Sequence, residues 1–112
     1  MRFSINRHLE ENRNGQIIET PVGWVMFWRP DEKSIYIDDI AVYPEFRHMG
    51  FVVELAEIVE NIARVEGRSI LYTNIHMCVP GAEKMHNIVT EFGFELYLPS
   101  EIINVYRKQI NG

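Results

Sequence analysis

The stretch from Phe51 to Val65 narrows what this chain can fold into more than any other. Phe51, Leu55, Ile58, Ile62 and Val65 recur at i, i+4, i+7, i+11 and i+14, while Glu54, Glu57, Asn61 and Arg64 take the opposite side. An apolar stripe of that period predicts an amphipathic helix, which needs another surface to cover its apolar face. Gly67 stands where a left-handed residue closes a helix. The flanks supply the partner surface. Ser34 to Tyr43, stopped by Pro44, is dense in β-branched and aromatic residues, and Ser69-Ile70-Leu71-Tyr72-Thr73 follows the helix. Both read as strands. Strand, amphipathic helix, strand is the βαβ unit, with parallel strands and a right-handed crossover.

The remaining segments extend that unit. Gln16 to Arg29 holds Ile17, Ile18, Val22, Trp24, Val25, Met26, Phe27 and Trp28 and reads as one strand, with Pro21 near its start and Gly23 as a bulge. Pro30-Asp31-Glu32-Lys33 is the turn that folds it back onto the strand beginning at Ser34. Pro80-Gly81 opens a weaker helix reaching about Glu91, with Met85, Ile88, Val89 and Phe92 as its apolar side. Phe94 to Leu98 and Ile102 to Lys108 read as two last strands, whereas Met1 to Asn14 is polar and turn-rich. A chain of 112 residues fits one domain, 1–112. The expected class is α/β: a mixed, mostly antiparallel sheet with one long and one shorter helix.

Charge and cysteine usage exclude several tasks. Eleven basic against sixteen acidic residues leave a net charge of −5. Nucleic acids and anionic membranes call for clustered Lys and Arg, so neither is expected as a partner. A single cysteine forms no internal disulfide. No apolar run reaches the ~20 residues of a spanning helix, and the first residues lack an apolar signal core. The expected setting is the cytoplasm.

Chemistry concentrates where the central strand enters the long helix, at Asp38-Asp39-Ile40-Ala41-Val42-Tyr43-Pro44-Glu45-Phe46-Arg47-His48-Met49-Gly50-Phe51-Val52. The first turn of a helix has N–H groups without intrahelical partners and about half a positive charge. Gly50 at that mouth lets an anion approach the backbone, and Arg47 and His48 add side-chain donors. An ordinary strand–helix turn, with glycine for its positive φ, explains the same residues. Asp38 and Asp39 likewise read either as an acid–base pair or as solvated carboxylates guarding a strand edge.

The run Asp-Asp-Ile-Ala-Val-Tyr-Pro-Glu-Phe-Arg-His-Met-Gly resembles the central signature of the GNAT superfamily of N-acetyltransferases. There, a strand ending in hydrophobic-Val-x-Pro-Glu-aromatic-Arg leads into Gln/Arg-x-x-Gly-x-Gly/Ala. Arg47 and Gly50 fill the first two motif positions, and Glu91-Phe92-Gly93-Phe94 resembles the family's later Gly-Phe ending. The similarity in element order covers about Ile17 to Tyr106. It implies that acetyl-coenzyme A lies where two strands splay apart. Its pantetheine arm would run along Ile40, Ala41 and Val42, with its pyrophosphate on Arg47, His48, Met49, Gly50, Phe51 and Val52. The acidic pair is most similar to the polyamine acetyltransferase type. By that likeness Asp38 is the general base, Asp39 holds the acceptor's charge, and the acceptor is a small or peptide amine.

Three positions depart from the pattern. Val52 stands where the motif has Gly or Ala, Val89 where many members place the tyrosine that protonates the leaving thiolate, and Ala82 where an asparagine is frequent. The chain is also shorter than the family's usual N-terminal part implies. These departures favour a second reading, a member of the fold that binds without transferring. His76, Cys78 and His86 lack the paired spacing of a zinc site, so no metal is expected. Trp24 and Trp28 share one strand face, which suits the core, a groove or a homodimer contact.

Overall fold

The computed structural model describes residues 15–110. Its elements are β1 (Gly15–Thr20), β2 (Gly23–Asp31), β3 (Ser34–Val42), α1 (Phe51–Val65), β4 (Ile70–His76), α2 (Ala82–Glu91), β5 (Glu95–Leu98) and β6 (Ile103–Gln109), with a 3₁₀ turn at Pro44–Phe46. The expected βαβ unit is β3–α1–β4. The six strands run in the order β1-β2-β3-β4-β6-β5. β3 and β4 are parallel, and the other neighbouring pairs are antiparallel. This is the mixed α/β architecture that the periodicities predict. The polar stretch Met1 to Asn14 lies outside the described residues.

The first long strand is in fact a hairpin. Pro21 and Val22 form its corner, because Thr20 pairs with Gly23. The Thr20 hydroxyl accepts from the N–H groups of Val22 and Gly23, both at 3.2 Å, and donates to the Gly23 carbonyl at 3.0 Å. Proline presets the backbone angle for such a corner, so Pro21 marks a turn and not a strand start. Gly23 is no bulge either. It pairs in register with Val42, and a Cβ there would lie 2.0 Å from the Ala41 carbonyl oxygen. The bulges fall elsewhere along the β2–β3 ladder. One takes in Pro30, which has no N–H to give to a rung. The other is Asp38, which stands between the rungs Phe27–Ile37 and Met26–Asp39.

The core lies between the sheet and the two helices. Phe27, Ile35, Ile37, Leu71 and Ile75 face Leu55, Ala56, Val59 and Ala63 of α1, and Ala82 of α2 joins them. The small side chains of Ala56 and Ala63 let α1 settle close onto the strands. The stripe read from large residues alone is therefore rotated: Val65 is 88% exposed, and Ile58 and Ile62 flank the buried line. The closing glycine stands as expected. Gly67 has φ 76°, the Arg68 N–H donates to Ala63 at 2.8 Å and the Gly67 N–H to Arg64 at 3.1 Å.

Beside that cap, Glu66 ties α1 to β2. Its carboxylate accepts from Arg29 at 2.7 Å and from Arg68 at 2.6 Å. The Arg29 hydrogen bond, opposed by partial burial and aided by Arg68, lowers its pKa from 4.5 to about 2. A depressed carboxylate pKa gives stability that is present above pH 4.5 and lost as pH falls towards 2. Solvent screening holds that contribution to about 1 kcal/mol. Glu66→Gln should therefore lower Tm at neutral pH and flatten the acid limb between those values. A Tm–pH curve parallel to wild type in that window would refute this.

Candidate functional site

β3 and β4 pair from Ser34–Ile70 to Ile37–Thr73 and then part. The last rung is reinforced, since the Thr73 hydroxyl donates to the Ile37 carbonyl at 3.1 Å. Next to it, the Asn74 amide donates to the Tyr36 hydroxyl at 3.0 Å. Past this point β3 stays with β2 as far as Val42–Gly23, while β4 stays with β6 as far as His76–Ile103. The Asp38 bulge sits just past the last rung, and a bulge bends its strand. The two halves of the sheet diverge around a cleft of about 330 Å³. Asp38, Asp39 and Ile40 line one wall, Thr73 to His76 the other, and Val52 and Val53 of α1 with Met85 and Ile88 of α2 close it.

Both acidic residues singled out in the sequence thus reach the cleft. Asp38 is half-buried. Asp39 remains exposed as a whole residue, yet the protein around its carboxyl raises its pKa. Desolvation is the main cause, and the neighbouring charge of Asp38 adds to it. An N–H bond from Ile40 and the attraction of His76 work in the other direction. The Ile40 N–H donates to Asp39 Oδ1 at 2.9 Å, so one backbone group expected to meet a pantetheine arm is held by an expected acid–base residue. Ala41 and Val42 are half-buried and do not line the cleft.

The turn residues form a second group, at the mouth of α1. Gly50 precedes the helix with φ 82° and His48 has φ 66°, so the chain passes through left-handed geometry twice. No side chain caps the first turn. The Val53 N–H donates to the Gly50 carbonyl at 3.2 Å, and the helix itself offers no carbonyl to Phe51 or Val52. Arg47 departs from expectation, because its Nε donates to the Val42 carbonyl at 3.2 Å. Met49 is 65% exposed, and the Phe51 ring meets Phe46 edge-on at 5.9 Å. Lys84 of α2 brings a cation that the sequence reading passed over, with Nζ 3.4 Å from His48 Nδ1.

Val52, Val89 and Ala82, the three departures from the motif, all line the cleft. His76 lines it too, although its sequence context suggests only a metal site, one that the spacing argues against. Its companions lead elsewhere. His86 Nδ1 meets the Tyr106 hydroxyl at 2.6 Å, and the Cys78 thiol donates to the Glu101 carbonyl at 3.7 Å. Among the described residues, no group of three or more His, Cys, Asp or Glu is placed to hold a metal ion, and no helix is long and apolar enough to cross a membrane.

Comparison with known proteins bears on this arrangement directly. No curated protein sequence matches the chain. Solved structures match its fold. A putative GNAT-family acetyltransferase from Desulfovibrio desulfuricans superposes with a TM-score of 0.78 at 17% identity, over 98% of this chain and 78% of that one. A GNAT family acetyltransferase from Elizabethkingia anophelis, solved with acetyl-CoA bound, gives 0.76 at 13% identity, over 98% and 84%. Ard1 from Thermoplasma volcanium gives 0.68 at 17% identity over 81% of this chain, which spans 64% of that protein's length. The family model described as acetyltransferase (GNAT) matches residues 5–94. The chain belongs to the GNAT acetyltransferase family.

Proposed function

We propose that this protein transfers an acetyl group from acetyl-coenzyme A to an amine. The observation that carries the reading is the end of the β3–β4 ladder at Ile37–Thr73, which opens the sheet beside two carboxylates. The freed edge of β3 meets the pantetheine arm at Ile40, the one of the three expected positions Ile40, Ala41 and Val42 that lines the cleft. The turn into α1, from Arg47 to Val52, receives the pyrophosphate on the N–H groups that the helix leaves without partners at Phe51 and Val52, with His48 and Lys84 beside it. Structures with a similar fold include one solved with acetyl-CoA bound, which supports acetyl-coenzyme A as the donor. The acidic wall suits a cationic acceptor, as in the polyamine type, and Asp38 and Asp39 are its proton acceptor and charge partner. An ammonium must lose a proton before its nitrogen attacks the thioester.

Calorimetric titration with coenzyme A, followed by thiol release from acetyl-coenzyme A over a panel of polyamines, amino acids and peptide amines, tests this. Binding and release are both expected. Binding without release on any acceptor would leave the non-transferring reading, which Val52, Val89 and Ala82 motivate. The phosphate contact has its own control. A Cβ at Gly50 or at Gly67 meets no atom within 4 Å, and both residues have positive φ. Valine at either position strains one end of α1 to a similar extent. Gly50→Val should weaken coenzyme A binding about tenfold, the loss of one modest hydrogen-bonding contact. Gly67→Val should not. Equal affinities in the two variants would remove the phosphate from this turn.

A further inference from the structure

Among the described residues, three side chains of titratable type line the cleft. Asp38 and Asp39 stand on β3 and His76 ends β4, while the rest of the described lining contains no tyrosine, cysteine, lysine or arginine. α1 contributes Val52, Val53 and Ala56, and α2 contributes only apolar side chains, so among the described residues the charged groups that face His76 across the cleft are the two aspartates.

Acetyl transfer moves protons at two places. The acceptor enters as an ammonium and leaves as an amide, so nitrogen loses two protons as its bond to the acyl carbon forms. The carbon–sulfur bond breaks, and the sulfur leaves as a thiolate that takes up one proton. The other proton goes to solvent. Carboxylates suit the nitrogen, because their charge attracts the ammonium and they accept its proton. Among the described lining residues, that leaves His76 as the proton donor within reach of the sulfur.

Resting on the acetyltransferase reading above, we propose that His76 is the proton donor to the departing thiolate. It lies three residues beyond Thr73, the last β4 residue paired with β3, on the wall opposite the aspartates. Its backbone is fixed by the rung to Ile103, so the ring is carried by a paired strand and not by a loop. Asp39 attracts it across the gap. A ring so placed can hydrogen-bond a nascent thiolate and pass it the proton it needs. The two walls then divide the work, with proton removal on β3 and proton delivery on β4.

The test reads the sulfur directly and needs no acceptor. Bound coenzyme A is titrated by the ultraviolet absorbance of its thiolate, after subtraction of ligand-free protein to remove Cys78. In wild type the bound thiol should ionise at lower pH than free coenzyme A. In His76→Ala and His76→Val it should ionise about 1 unit higher than in wild type, as for loss of a hydrogen-bond donor to the thiolate. Equal thiol titrations in wild type and both variants, with coenzyme A bound in each, would overturn the role of His76 alone. If wild type fails to bind coenzyme A in calorimetry, the acetyltransferase reading falls and this role with it. His76 is exposed, so both variants should keep the wild-type melting temperature.

Discussion

Asp38→Asn should cut turnover by about 10²–10⁴-fold, the usual worth of a general base, while coenzyme A affinity barely changes. Asparagine keeps the shape and removes the proton acceptor. The defect should shrink as pH rises, because more of the acceptor amine is then already neutral. Asp39→Asn should act mainly on acceptor KM by removing a charge that draws the ammonium. If turnover instead collapses at Asp39, the base is the carboxyl whose pKa burial raises. Full activity in both single variants would move proton removal off β3 altogether. The raised pKa also fixes a sign for stability. Folding disfavours the ionised form of Asp39, so Asp39→Asn should raise Tm slightly at neutral pH, and the gain should vanish in acid.

The second large effect is structural. Gly23→Ala should destabilise the protein by about 3 kcal/mol, since the added methyl would lie 2.0 Å from a backbone oxygen of β3. For a domain of this size that is a fall in Tm of roughly 10–20 °C. Neither partner yields cheaply. Ala41 is held between rungs, and the neighbouring corner is bound by Thr20 and by the Tyr43 N–H, which donates to Val22 at 2.9 Å. Calorimetry decides it, and a Tm within about 2 °C of wild type would show that β2 and β3 slide apart freely.

Periodicity and turn residues made the outline legible. The bounds of α1 and the cap at Gly67 follow from local pattern, because a helix is closed by hydrogen bonds only a few residues apart. Features that depend on distant partners were not legible. Gly23 looked like a bulge because the constraint on it comes from Ala41, which is remote in sequence. Asp38 gave no sign of being a bulge, since only the register against Met26 and Phe27 shows the extra residue. The order β4-β6-β5 likewise rests on pairing between strands that α2 separates. At the site, Asp38, Asp39 and the Arg47–Gly50 turn stood out through a motif contiguous in the chain. His76 stood out only as a rejected metal candidate and Lys84 not at all, because their neighbours in the fold, Asp39 and His48, are remote in sequence.

On the acetyltransferase reading, the hydrogen bond from the Ile40 N–H to Asp39 would join cofactor holding to proton acceptance. That N–H has one hydrogen to give, so a pantetheine carbonyl that claims it takes it from the carboxylate. A carboxylate that loses a donor becomes more basic. Protonating Asp39 first would weaken its hold on the same hydrogen and release it to the incoming chain. Occupancy and proton uptake are then thermodynamically reciprocal, each favouring the other by an equal free energy. Loading the donor would sharpen the wall that receives the acceptor's proton, and a proton on that wall would tighten the donor's hold, both through a single backbone amide.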